Sequence, residues 1–328
     1  MKKIIILLLL LVFTSVSAKK TIIKVATLAP EGTAWHDILI DLGQRWKKAT
    51  NGEVQVRIYP GGILGDERDM VRKMRIGQIQ AAALSTEGLS ELSPLFSAFF
   101  LPLTYHSFED INKVLDHFLP NLTKNMEDNG FKLLYVSDLS WAYWFSTAPI
   151  KVPNDLKTKK IFTWAGNYEY EKVYKNAGYT VVPLAGTELL SGLQTGLINT
   201  FSTVPLYSLA RQTFGIATHM LDMKWGLLLA GVVINTKTWN RIPKKYHSEL
   251  LEILEDVKKR SIIVNRESEI QAIEAMKEYG LQVYTLTPDE KEEWKNEVKR
   301  LGPMLRGTTV DEKIYDEVME ILNIPSVK

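Results

Sequence analysis

A chain of 328 residues, 45% hydrophobic and 24% charged, has the apolar content for a core and the length for two lobes of ordinary size. Its formal net charge of +2 provides no basic surface of the kind that nucleic acid or an anionic membrane demands. The absence of cysteine removes disulfides and thiol catalysis together.

The chain opens with Met1-Lys2-Lys3, an unbroken apolar run over 4–13, and small residues up to Ala18. That is the pattern of a secretory signal peptide occupying 1–18, with cleavage expected after Ala18. A bilayer span needs ~20 apolar residues, about twice what this run offers. No cysteine follows it to carry a lipid. The mature protein is therefore expected free in the periplasm, and losing Lys2 and Lys3 brings its charge close to zero.

Residues 24–28 read as a strand, a helix starts near Thr33, and 53–59 read as a second strand before Pro60-Gly61-Gly62. A helix over 66–76 closes at Gly77, and 78–85 form a third strand. Residues 93–102 are an apolar loop, 107–119 a helix capped by Ser107 with Asp110 three residues on, and 131–136 a strand. A first crossing between lobes is expected over 137–140, with the second lobe beginning at 141–150. There the same grammar returns. Strand 161–165, helix 168–176 closed by Gly178, strand 179–184, helix 187–195 closed by Gly196 and strand 197–202 follow in order. MRIGQIQAAALS and LQTGLINTFST align Gly77 on Gly196. Five elements in register predict two similar α/β lobes, each with a small parallel sheet. Such sheets bind ligands at the carboxyl ends of their strands, so facing lobes make a cleft. Residues 225–235 read as a buried strand carrying the chain back. A helical stretch over 242–280 is too long for one lobe and is expected to lie across both. A strand over 281–286, a capping box at Thr287-Pro288-Asp289-Glu290 and a helix over 310–322 complete the chain. Lobe I is expected over 19–139 and 228–266, lobe II over 140–227 and 267–328.

Enzyme signatures are missing. There is no phosphate loop, no G-x-S-x-G elbow and no H-E-x-x-H. The five histidines show no metal-ligand spacing, so neither metal nor cofactor is expected. A periplasmic enzyme using Glu87 or His36 as acid–base is a weaker reading of the same residues.

The segments LAPEGTAWH, VRIYPGGILGDERDMVRKMRIGQIQAAA, PNDLKTKKI and TELLSGLQTGLIN together resemble the DctP-like solute receptors of tripartite ATP-independent periplasmic (TRAP) transporters. The resemblance implies a two-lobe periplasmic solute-binding fold, type II-like, with a hinge and a long helix spanning both lobes. It also implies a receptor that closes on a small molecule and delivers it to membrane permease subunits. LAPEGTAWH and MVRKMRIGQIQAAAL are most similar to a subgroup that pairs with a tetratricopeptide-repeat protein. The alternative is thus a periplasmic carrier of a hydrophobic ligand acting with a soluble repeat-protein partner.

The family's carboxylate-clamping arginine follows the D-L-K-x-x-K-I segment, and Phe162 holds that position here. No arginine occurs between Arg75 and Arg211, and the family's asparagine after the third strand of the second lobe is replaced by Thr203. Aromatic residues stand in their place. The residues expected at the ligand are Trp35, His36, Glu87, Trp141, Tyr143, Phe162, Trp164, Tyr168, Phe201, Thr203 and Trp225, with about half of the aromatics packing into the core instead. A hydrophobic or aromatic-stacking ligand follows, its polar end held by Thr203, Tyr168 or His36.

Overall fold

A computed structural model of the protein describes residues 20–325, so the expected signal peptide and its cleavage point lie outside the described residues. Strands β1 (Thr21–Thr27), β2 (Val54–Tyr59) and β3 (Ala81–Ser85) are connected by helices α1 (Ala34–Ala49) and α2 (Glu67–Arg75). They pair in parallel in the order β2-β1-β3. A short helix α3 (Thr86–Ser90), a 3-10 turn over Pro94–Phe100 and helix α4 (Phe108–Asp128) lead into the long strand β4 (Phe131–Ser146). After α5 (Pro153–Lys157) come β5 (Lys160–Trp164), α6 (Tyr168–Asn176), β6 (Thr180–Leu184), α7 (Leu189–Gln194) and β7 (Thr200–Thr203). This second set pairs in parallel as β6-β5-β7, the same arrangement as the first. Helix α8 (Pro205–Ala210), strand β8 (His219–Asn235), α9 (Thr236–Trp239) and the long α10 (His247–Glu278) follow. Strand β9 (Gln282–Tyr284), α11 (Pro288–Leu305) and α12 (Glu312–Ile321) end the described chain.

The internal repeat read from the sequence is therefore a repeat of structure. Gly77 and Gly196 end corresponding helices at φ +76° and +68°, a conformation that costs glycine nothing and other residues ~1 kcal/mol or more. Thr33 caps α1 through its side-chain oxygen, and Leu39, Leu42 and Trp46 bury one face of that helix.

The two small sheets are not separate. Strands β4 and β8 pair antiparallel along most of their length, and the described strands form one sheet in the order β2-β1-β3-β8-β4-β7-β5-β6, with β9 beside β8. The β4–β8 ladder changes register between Leu133 and Tyr135, Asp138 and Ser140, and Ala142 and Trp144. Such bulges bend and twist a ladder, and here they lie where the chain passes from lobe I (the β1–β3 side) to lobe II (the β5–β7 side). The positions 139/140, 227/228 and 266/267 fall inside β4, β8 and α10, so the chain has no break there. The core is likewise shared. One apolar cluster runs from Met70 and Leu84 through Trp225 and Leu227 to Phe145 and Phe201, while a second, on Ile23, Trp46, Leu250 and Val257, belongs to lobe I.

Two further elements differ from expectation. Helix α4 continues past Pro120 to Asp128, because Ile111, Val114, Leu115, Phe118, Leu122 and Met126 keep a single buried stripe on both sides of the proline. The apolar loop at 93–102 is a 3-10 turn that buries Phe96, Ala98 and Phe99. Helix α10 spans the molecule as expected, burying Leu250, Leu254 and Val257 at one end and Ala272 and Met276 at the other.

Candidate functional site

A cavity of about 130 Å³ lies where the carboxyl ends of the parallel strands converge. Lobe I contributes Thr27, Leu28 and Ala29 after β1, Ala83 to Ser85 from β3, Glu67 from α2, and Trp35, Ile38 and Leu39 from α1. Lobe II contributes Trp164 at the end of β5, Thr203 at the end of β7, Val204 after it and Tyr207 from α8. The crossing strands form the back wall with Tyr135, Ser137, Leu139, Leu228 and Val232, and α10 adds Ser261 and Asn265. The cavity is thus closed by both lobes and backed by the strands that join them.

Its polar groups are mostly committed. Asn265 accepts from Trp35 Nε1 at 3.0 Å and donates to the Asp138 carbonyl at 2.9 Å, which fixes the Trp35 ring against the hinge. Ser261 donates to Lys258. Ser137 differs, its buried Oγ having no hydrogen-bond partner among the described residues. Glu67 accepts from Ser85 N and Ser85 Oγ at 2.7 Å and from Gly88 N at 2.8 Å. Burial nonetheless outweighs these donors and pushes its carboxyl up to about 7. Burial also raises the Tyr207 phenol, to about 12. Among the described residues no lysine, arginine or histidine lines the cavity. Among the described residues no group of three or more His, Asp or Glu side chains could hold a metal ion.

Of the residues singled out in the sequence, Trp35, Trp164 and Thr203 meet at this cavity. Phe162 is buried behind it, its ring edge-on to Trp164 at 5.4 Å, so it supports the wall without forming it. Phe201 stacks on Phe145 at 5.5 Å, and Trp225 is wedged between Trp144 and Trp294, both fully inside the core. These two correct the expected aromatic lining: strands covered on both faces bury every side chain. Trp141 and Tyr143 face a second hollow of about 350 Å³, bounded by Phe108, Lys224, Arg266 and Ile270. There the Tyr143 hydroxyl donates to Glu269, which also accepts from Ser140 Oγ and Trp141 N. His36 stays at its own helix start, where its Nδ1 faces Gly32 N at 3.4 Å. Tyr168 is 73% exposed at the start of α6. Glu87 sits outside the cavity at the seam between lobes, 3.3 Å from Asn167 Nδ2.

The residues missed in the sequence are Glu67, Ser137, Tyr207 and Asn265. Glu67 was hidden in an acidic helix start. Asn265 left a signal, because Ser261, Asn265, Ser268 and Glu269 form a buried polar stripe along an otherwise ordinary amphipathic helix.

Comparison with known proteins places the chain in a family. The model of bacterial extracellular solute-binding proteins, family 7 (DctP), matches residues 25–304. The C4-dicarboxylate-binding periplasmic protein DctP of Rhodobacter capsulatus is 23% identical over 254 residues, covering 76% of this chain and 75% of that protein. A TRAP periplasmic solute-binding protein from Sulfurospirillum deleyianum, with bound succinate, superposes with a TM-score of 0.84 at 21% identity, covering 93% and 99% of the two chains. The sugar-acid-binding protein of Advenella mimigardefordensis, in complex with galactonate, gives 0.86 at 16% identity, covering 93% and 98%.

Proposed function

We propose, from the premise that this chain belongs to family 7 of the bacterial extracellular solute-binding proteins, that it captures one small solute between its lobes and hands it to a TRAP-type membrane permease. It is a transport receptor and not an enzyme. Family members are periplasmic, and a signal peptide cut after Ala18 accounts for export here.

One observation supports a reading of the solute's chemical class: among the described residues no cationic side chain lines the cavity. Succinate and galactonate, held by the similar proteins, are anions. In this cavity a ligand carboxylate would be buried without a counter-ion and close to Glu67. Leaving a carboxylate unpaired in such a place costs several kcal/mol, on the order of the whole affinity of a micromolar complex. Phe162, standing where the family's arginine clamps the ligand, accounts for that lack. We therefore assign a neutral solute of modest size, its apolar body against Trp35, Leu39, Trp164 and Leu228 and one polar end at Ser137 or Thr203.

Calorimetry with C4 dicarboxylates, sugar acids and their neutral analogues tests the assignment. The acids are expected to bind weakly or not at all, and micromolar binding of any of them at neutral pH refutes it. Capture of a permease subunit, set against capture of a soluble repeat protein, separates transport delivery from the carrier alternative.

A further inference from the structure

Three carboxyl groups gather where lobe I touches lobe II, that of Glu67 at the cavity wall and those of Asp66 and Glu87 beyond it. Two loops of lobe II close onto them. The Gly186 N–H donates to Asp66 Oδ2 at 3.0 Å, and Asn167 Nδ2 donates to Glu87 Oε2 at 3.3 Å. Between these contacts Arg68, paired with Glu91, lies against Gly166, where the guanidinium fills the space a Cβ would need. The contacts of Asp66 with Gly186, Glu87 with Asn167 and Arg68 with Gly166 all cross between lobes, so opening the cleft breaks them together.

Glu87 stands at the seam itself, between groups of both lobes. It faces Glu67 and Arg68 from α2, Glu91 at the end of α3, and Asn167 and Tyr170 from lobe II. Arg68, the cation of the set, is already engaged by Glu91. Closure therefore places Glu87 in a half-buried seam beside a second carboxyl. Burial and then Glu67 push its carboxyl up to about 8, against smaller opposing effects of Arg68 and Asn167.

We propose that closing the lobes takes up a proton at Glu87, so that the closed, solute-holding form is favoured in acid and weakened in alkali. The proposal rests on the reading of the protein as a hinged receptor. Protonated, Glu87 still offers a carbonyl oxygen to Asn167 and no longer repels Glu67. The sign follows from linkage. An open cleft returns Glu87 to water and to the ordinary carboxylate range, so the closed form binds more protons. Closure is favoured most below the open-form pKa, weakens through the window that ends near 8, and is constant above it. For a single proton the closing equilibrium shifts by ~tenfold per pH unit at most within that window.

The absence of native cysteine allows two labels to be placed cleanly. Spin labels on Lys48→Cys in lobe I and Lys172→Cys in lobe II, both exposed positions, report the inter-lobe distance in the full exported protein. Between pH 5 and 8 the closed-to-open ratio should grow as pH falls, by about three- to tenfold per unit, and level off towards pH 9, and the Glu87→Gln variant should lose that slope. A cooperative melt of Glu87→Gln shows that the fold, as distinct from the linkage, is intact. Two distance populations whose ratio ignores pH, or a slope unchanged in Glu87→Gln, overturn the proton linkage alone. A single distance at every pH, with or without the solutes of the calorimetric panel, overturns the hinge reading as well.

Discussion

Trp164 shows how much one side chain depends on its neighbours. It ends β5 at the cavity wall, backed edge-on by Phe162 and pressed by Gly186, where an added Cβ would clash with the ring. Sequence alone places Phe162 and Trp164 on one face but cannot rank them, since both are aromatic and two residues apart. Packing decides that Trp164 meets the cavity and Phe162 supports it. Trp164→Ala is thus expected to weaken solute binding by about 1–3 kcal/mol while the protein still melts cooperatively. Trp225, buried between two other tryptophans, gives the contrasting result. Its replacement by alanine should lower stability by about 3–5 kcal/mol and leave affinity unchanged in the molecules that remain folded. Calorimetric affinity and melting temperature, measured on both variants, check the pair. Equal losses of affinity would mean that the cavity has been assigned the wrong tryptophan.

At the scale of elements, local signals were read correctly wherever the chain itself supplies the partner. The capping box at Thr287 is present as written: Thr287 Oγ1 accepts from Glu290 N, and the Glu290 carboxylate accepts from Thr287 N at 2.8 Å and from the Tyr284 hydroxyl at 2.7 Å. Thr287→Ala should destabilise the protein by about 1 kcal/mol, read as a small drop in melting temperature with solute affinity unaltered. No change at all would mean that β9 and α11 are held by tertiary packing alone. What the sequence concealed are features set by distant partners. Strand β4 looked finished at Val136, because 137–140 read as the first crossing between lobes. It continues because β8 pairs with it and because α10 covers the polar pair, Asn265 donating to the Asp138 carbonyl and Arg266 to its carboxylate. The same distance effect hid Asn265 and Ser137 from the list of candidate ligand contacts and placed Phe201 and Trp225 wrongly on it.

For the whole molecule, the continuous sheet sharpens what a hinge means here. The lobes are not beads on flexible linkers. Two paired strands and one 32-residue helix join them, so opening must bend the β4–β8 ladder at its register breaks while α10 slides or flexes along it. Such a motion is small at the hinge and large at the rim, where Gly62 of lobe I meets Thr187 of lobe II. A Cβ built on Gly62 would lie 2.6 Å from Thr187 Cγ2, within the reach of a disulfide in the closed form and out of reach once the rim parts. The double variant Gly62→Cys and Thr187→Cys is therefore expected to crosslink under oxidation. Cysteine at φ +77° costs ~1–2 kcal/mol, which the bond can outweigh. Oxidised, the protein should neither load added solute nor release solute already bound, and reduction should restore exchange at the rate of the parent protein. Exchange kinetics measured in both redox states decide the matter. Free exchange through an intact crosslink would show that solute enters without rim opening, and that closure of the two lobes is not the step by which this receptor holds its ligand.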